Sequence, residues 1–382
     1  MTTWGLVRDP SSMRKRAARE DRRRAAAHST AAAQHSDVRV QMWPRWFDNP
    51  YLPSLIESLR ASGVRAGSSP LLYLGAYRLR PGDWLHLHWP GEAHLHKSRL
   101  LYRVHAASVR IQLRALKRRG VRIAWTAHNL VPHDDPHPDL GRKARRDLLA
   151  MTDHVFVHFD GACAELAETF GYTGPCTTVH HPHYVADYPA PPSREEARAR
   201  LGIPSDGFVA LAFGRIRPYK GIGNAIEAFQ RIAGANDRLI IAGTRQGDVS
   251  AELALAADDP RIMVHAKHIP DSEVPLYYGA ADAAVISHRA FFTSGSAVLA
   301  LSMGCPVVGP ALHHLADLAG PHRLYAVEPS VDGLAAGLAE ARAAAGITDH
   351  AAVRDWAEHY GSWRDAANRT AAVLTGGRAV SA

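Results

Sequence analysis

The residues at 212–222, AFGRIRPYKGI, place Gly214, Arg215, Arg217, Lys220 and Gly221 between an apolar run and a helical pattern. Two or three cations on a flexible strand-to-helix junction suit a diphosphate, because the helix N-terminus and the side chains both favour negative charge. Taken alone, the stretch also reads as a solvated basic turn. A second cluster, Thr293-Ser294-Gly295-Ser296, opens the stretch FFTSGSAVLALSMGCPVV at 291–308. Free N–H groups and hydroxyls at a helix start can cradle phosphate oxygens, and Ser294 or Ser296 can equally be a plain N-cap.

A third candidate group lies in TAHNLVPHDD. His128 follows an apolar strand pattern and points to a strand end, either as a site residue or as a hydrogen-bonded structural histidine. His133 or Asp134 is placed to serve as general base in an inverting displacement. Twenty-three histidines invite a metal reading. His86 with His88, His94 with His96, and His180 with His181 and His183 form clusters, but none has the HExxH or Cys-x-x-Cys spacing of a metal site. No metal and no cofactor are expected. Trp43, Trp46, Phe47 and Tyr51 either stack on a flat group or pack the edge of a cleft.

These residues need a frame. A chain of 382 residues with 46% hydrophobic and 21% charged content has enough apolar surface for two domains. Cys163, Cys176 and Cys305 form no disulfide pattern in sequence and read as reduced thiols of a cytoplasmic protein. The formal net charge of +8 is carried by the first half of the chain, and the second half is not basic. Residues 1–37, centred on RKRAAREDRRRAAA, lack the apolar core of a secretory signal and read as a basic, disordered tail.

From residue 38 onward, strand patterns alternate with helical ones. VRVQMW, DWLHLHWP, VRIAWTAHN and DHVFVHF read as strands, separated by helices that include RLLYRVHAASVRIQLRALKRRG. The proline-rich stretch at 188–198 reads as a linker. Alternation restarts with FVALAFG, DRLIIAG, RIMVHA and DAAVIS. The expected fold is α/β, with two Rossmann-like doubly wound domains facing across a cleft, at 38–187 and 199–360. Residues 361–382 form a last helix that crosses back to the first domain, with a tail. Such sheets bind ligands beyond the carboxyl ends of their strands.

GRIRPYKG, LIIAG, IPDSEVPLYYGAADAAVISH and SAVLALSMGCPVVGP together resemble the C-terminal domain of the GT-B glycosyltransferases. They are most similar to the large group typified by the retaining family-4 enzymes (glycosyl transferases group 1). TAHN resembles the acceptor-domain side of the same group. The resemblance implies a metal-independent glycosyltransferase with a UDP- or GDP-linked sugar donor. It also implies that Gly214, Arg215 and Lys220 clasp the donor diphosphate and that the loop at His268-Ile269 borders the base. In the resembled group, one glutamate contacts the donor sugar and another, eight residues later, contacts the ribose. Phe291 and Leu299 stand in those places here, so both carboxylates are missing. Thr293, Ser294, Gly295 and Ser296 remain as the candidate phosphate contacts.

The acceptor is expected to be a hydroxyl or amine on a lipid-linked glycan or a small molecule. At ~100° per residue, Arg99, Arg103, Arg110, Arg114 and Lys117 fall within an arc of about 60°. They make either a solvated face or a stripe for an anionic membrane. On this reading Leu101, Val104, Ala107, Ile111 and Ala115 face the sheet. The expected location is cytoplasmic, extending to peripheral attachment at the inner membrane face, with no nucleic-acid partner. A nucleotide-sugar epimerase or phosphorylase of the same architecture, and a non-enzymatic polyanion binder, are the alternatives.

Overall fold

A computed structural model of the chain describes residues 37–44, 49–70, 72, 76–132, 134–288 and 291–376. The tail at 1–36, Trp46, Phe47 and His133 lie outside the described residues. Two six-stranded sheets organise the rest. The first comprises β1 (Arg39–Trp43), β2 (Arg65–Ser68), β3 (Trp84–Leu87), β4 (Arg122–Thr126), β5 (His154–Val157) and β6 (Cys176–Thr178), in the order β2-β1-β3-β4-β5-β6. The second comprises β7 (Val209–Phe213), β8 (Arg238–Ala242), β9 (Ile262–His265), β10 (Ala283–Val285), β11 (Val307–Pro310) and β12 (Leu324–Val327), in the order β12-β11-β10-β7-β8-β9. Every pairing is parallel.

The central strands are continuous apolar runs rather than alternating ones. β3 and β11 are buried at all four positions, as sheets covered by helices on both faces require. Each crossover carries the next helix back from the carboxyl edge, so the loops at that edge from both sheets converge on one region. β2, β6, β11 and β12 are not read as strands in the sequence. RAGS and CTT are too short and too weakly apolar to register as strands. The helix Trp363–Thr375 returns to the first sheet, where Ala366, Ala367, Ala371 and Leu374 pack with Val40, Tyr51, Leu52 and Trp84. The Trp84 indole N–H donates to the Leu374 carbonyl at 2.8 Å.

Two expectations are corrected here. Cys163 and Cys176 are not reduced thiols but a disulfide, with their Cα atoms 6.1 Å apart. The helix Ala162–Phe170 and the neighbouring strand β6 bring them together, which spacing alone does not reveal. The second correction concerns the helix Arg99–Arg118, which buries Tyr102, Leu113 and Leu116 against the first domain. Leu101, Val104 and Ile111, expected against the sheet, are exposed. Three of the five stripe cations are paired instead of free: Arg99 with Asp139 at 2.5 Å, Arg110 with Asp147 at 3.2 Å, and Lys117 with Asp153 at 2.5 Å. Among the described residues, no helix is long and apolar enough to cross a membrane.

Candidate active site

β7 runs into Gly214, whose φ of +111° only glycine adopts without strain. A Cβ there would lie 3.0 Å from Lys220 Nζ and 3.7 Å from Ser296 Oγ. The ammonium of one loop and the hydroxyl of another thus meet over a bare stretch of backbone. The loop is fixed from behind: Ile216 N–H donates to the Thr244 carbonyl, and the Ser287 hydroxyl donates to the Lys220 carbonyl at 2.8 Å. Lys220 ends a short 3-10 turn, Pro218–Lys220, and the helix Ile222–Ile232 begins directly after Gly221.

Lys220 is buried, and no carboxylate among the described residues pairs with it. Burial, followed by Arg217 and Arg215, pulls its pKa down to about 8. Arg215 is exposed and makes no hydrogen bond or ion pair with a described residue. Lys220 and Arg215 thus bring two positive charges to this loop without a carboxylate partner among the described residues, while the third cation, Arg217, is paired with Asp134.

The hydroxyl cluster divides its roles. Ser294 is an N-cap: its hydroxyl accepts from Ala297 N–H at 3.2 Å, and its own N–H donates to His314 Nδ1 at 3.2 Å. Gly295 and Ser296 begin the helix Gly295–Ser302, where backbone N–H groups have no partner in the preceding turn. A Cβ on Gly295 would face Tyr184 Oη at 3.7 Å and His181 Nε2 at 3.9 Å. The Thr293 hydroxyl is buried without a partner among the described residues. Phe291 is buried, and Leu299 packs against the second-domain core, so apolar groups hold the places where the resembled group has carboxylates. Ile269 is a core residue as well, and of that pair only His268 is exposed.

On the facing wall, three adjacent strands each deliver a histidine just past their ends: His88 after β3, His128 after β4 and His158 after β5. They form a hydrogen-bonded line. His158 Nδ1 lies 2.9 Å from the Val179 carbonyl, His158 Nε2 is 3.3 Å from His128 Nδ1, and His128 Nε2 is 3.1 Å from His88 Nδ1. The Val179 carbonyl can only accept, so His158 carries its proton on Nδ1. That choice sets the donor direction along the line and leaves His88 Nε2 as a lone pair, buried and unpartnered among the described residues. Burial first, then the neighbouring imidazoles, holds His88 and His128 well below the ordinary histidine range, and both are neutral. Trp89 stacks on His128 at 4.4 Å, and Tyr51 meets it edge-on at 4.9 Å. Both ring nitrogens of His128 are thus engaged, and in this arrangement it offers none to a substrate hydroxyl. Trp43 and Tyr51 are themselves buried packing residues.

Asp134 is exposed and pairs with Arg217 at 3.3 Å. This contact spans the two walls, as does that between His313 and Glu165 at 2.8 Å. Asp160 N–H also donates to Asp317 at 2.6 Å, and Phe159 packs on Phe292 at 4.9 Å. The sequence reading missed His158, His314 and these bridging pairs. The recurrence of histidine one or two residues past successive strands was the available signal for His158.

Residues 207–343 match a family model described as glycosyl transferases group 1. Over 332 residues the chain is 27% identical to the GDP-mannose:glycolipid 4-beta-D-mannosyltransferase of Xanthomonas campestris pv. campestris, covering 83% of this chain and 88% of that one. The fold matches sucrose-phosphate synthase from Thermosynechococcus elongatus at a TM-score of 0.69 and 17% identity, covering 89% and 98% of the two chains. The chain is a GT-B glycosyltransferase. The glycosyltransferase is also similar in fold to Anabaena HepE, solved in complex with UDP, at a TM-score of 0.63 and 12% identity over 89% of this chain and all of that one. The family match runs from just before β7 into the helix Val331–Ala344, so it includes the loop at Gly214–Lys220 and the start of the helix Gly295–Ser302.

Proposed function

We propose that the enzyme transfers a sugar from a UDP- or GDP-linked donor to a hydroxyl of a glycolipid, with the donor diphosphate over Gly214. The observation that carries this reading is the meeting of Lys220 Nζ and Ser296 Oγ at Gly214, beside the unpaired Arg215. The similar mannosyltransferase of Xanthomonas campestris acts on a glycolipid, which supports a glycolipid acceptor, and UDP bound in HepE, similar in fold, supports a nucleoside diphosphate. As the bond from the anomeric carbon to the β-phosphate oxygen breaks, its electron pair stays on the diphosphate. Lys220, Arg215 and the N–H groups of Gly295 and Ser296 neutralise that charge without having to reorganise. The acceptor oxygen forms the new bond to the anomeric carbon, and its proton passes to the departing diphosphate oxygen.

His128 acts in this reading as a positioning residue. Its ring is held by His88, His158 and Trp89 and forms part of the acceptor-side wall. Asp134 serves to close the cleft through Arg217, and closure excludes water from the donor. No step runs through a metal ion. The proposal is tested by incubating the protein with UDP- and GDP-sugars, with and without extracted lipid acceptors, and following products by mass spectrometry. A glycosylated lipid appearing with free nucleoside diphosphate supports it. Conversion of the donor that needs no acceptor would instead show an epimerase- or phosphorylase-type reaction.

A further inference from the structure

The helix Arg99–Arg118 turns an apolar stripe outward. Leu100 is 68% exposed, Leu101 41%, Val104 52% and Ile111 62%. They are four of the nine large hydrophobic side chains exposed among the described residues, and at ~100° per residue they share an arc of about 100°. The stripe runs for about 16 Å along the helix at ~1.5 Å per residue. Arg103, Arg114 and Arg118 are exposed beside it and form no ion pair with a described residue. The opposite face is committed to the core through Tyr102, Leu113 and Leu116. Arg99, Arg110 and Lys117 are drawn inward to Asp139, Asp147 and Asp153.

We propose that this helix docks the enzyme on an anionic membrane, lying in the interface plane with Leu100, Leu101, Val104 and Ile111 among the acyl chains. The arginines beside them would meet lipid phosphates. An outward apolar stripe with cations on its border fits such a surface, because burying the stripe and pairing the cations occur in one contact. A second copy of the chain fits less well. A two-fold contact would set the same arginines against each other, and four side chains fall short of the roughly 800 Å² per partner of a stable interface. The placement also serves the site. The helix starts at the carboxyl edge of the first sheet, after β3 and the short turn Pro90–Ala93, so Leu100 and Leu101 lie at its cleft end. This purpose rests on the glycolipid-acceptor reading, whereas the docking itself does not.

Flotation of the full chain with vesicles of phosphatidylcholine alone, and of equal parts phosphatidylcholine and phosphatidylglycerol, tests the proposal. Wild type should float with the anionic vesicles, and salt should weaken but not abolish the binding. Leu100→Ser/Ile111→Ser, both at exposed positions, should lower the bound fraction about tenfold. Arg103→Glu/Arg114→Glu should lower it as well, while nucleoside diphosphate binding by calorimetry stays at the wild-type value in both variants. A wild type that ignores anionic vesicles, or apolar variants that bind as well as wild type, would overturn the docking role. A concentration-dependent dimer that the serine variants break, without vesicle binding, would assign the stripe to a second copy instead. Vesicle binding with no glycolipid product would leave the docking surface intact and refute the acceptor reading.

Discussion

Lys220 offers a substitution that should move stability and function in opposite directions. Its pKa falls from 10.5 to about 8, chiefly through burial. At about 1.36 kcal/mol per pH unit, that shift corresponds to roughly 3 kcal/mol by which the folded chain disfavours the ammonium. The folded-state value lies below the unfolded one, so the cost is fully present below pH 8. It disappears as pH rises from about 8 towards 10.5. Lys220→Met keeps the length and apolar stem of the side chain and removes the charge. At pH 7 the free variant should therefore be more stable than wild type by about 1–3 kcal/mol, the lower figure allowing for water near the ammonium. A nucleoside diphosphate at a hundred times its Kd should stabilise wild type by about 2.7 kcal/mol and the variant hardly at all. Denaturant titrations of both proteins, with and without UDP and GDP, provide the four numbers required. A variant that is less stable when free, and still stabilised by the nucleotide, would refute the reasoning.

Arg215→Ala should lower kcat/KM by a factor matching about 2–4 kcal/mol of lost transition-state stabilisation while leaving the thermal midpoint unchanged, since the side chain is exposed. Gly295→Val should abolish donor binding in calorimetry, because the added side chain fills the space towards Tyr184 and His181; Thr293→Val should weaken it less. Acid should unfold the protein early. His86 is held down to about 3 and His181 to about 4, and His88, His128 and His158 are also lowered, all through burial. These groups bind fewer protons folded than unfolded, so stability is complete above pH 6.5 and falls as pH drops below it. The loss is about 2 kcal/mol per histidine by pH 5, and a flat thermal midpoint between pH 7 and 5 would contradict it. Separating Cys163 from Cys176 by Cys163→Ala should cost about 3 kcal/mol in the first domain, read by urea unfolding.

The legible parts of this chain were those encoded locally. Long apolar strands and amphipathic helices declared two parallel sheets, and the Gly-Arg-x-Arg-x-x-Lys-Gly stretch declared a cationic strand-to-helix loop. What stayed hidden depends on distance in sequence. β2 and β6 are edge strands without apolar character, and only their pairing with β1 and β5 reveals them. The Cys163–Cys176 bridge needs the geometry of a helix-to-strand crossover. The helix Arg99–Arg118 was read with its apolar stripe inward, because periodicity gives the arc between faces but not which face meets the sheet. Tyr102, Leu113 and Leu116 settle that choice. His128 was visible as a strand-end histidine, but its two imidazole partners come from β3 and β5 and remove it as an open base.

The central claim is that Lys220, Arg215 and the start of the helix Gly295–Ser302 hold a donor diphosphate. Calorimetric titration of UDP, GDP and their monophosphates into wild type and Arg215→Ala tests it most directly. The account predicts that one diphosphate binds wild type with clear heat, that its monophosphate binds more weakly, and that Arg215→Ala removes the difference between them. Equal affinity for mono- and diphosphate in wild type, or a diphosphate preference that survives in Arg215→Ala, would contradict it.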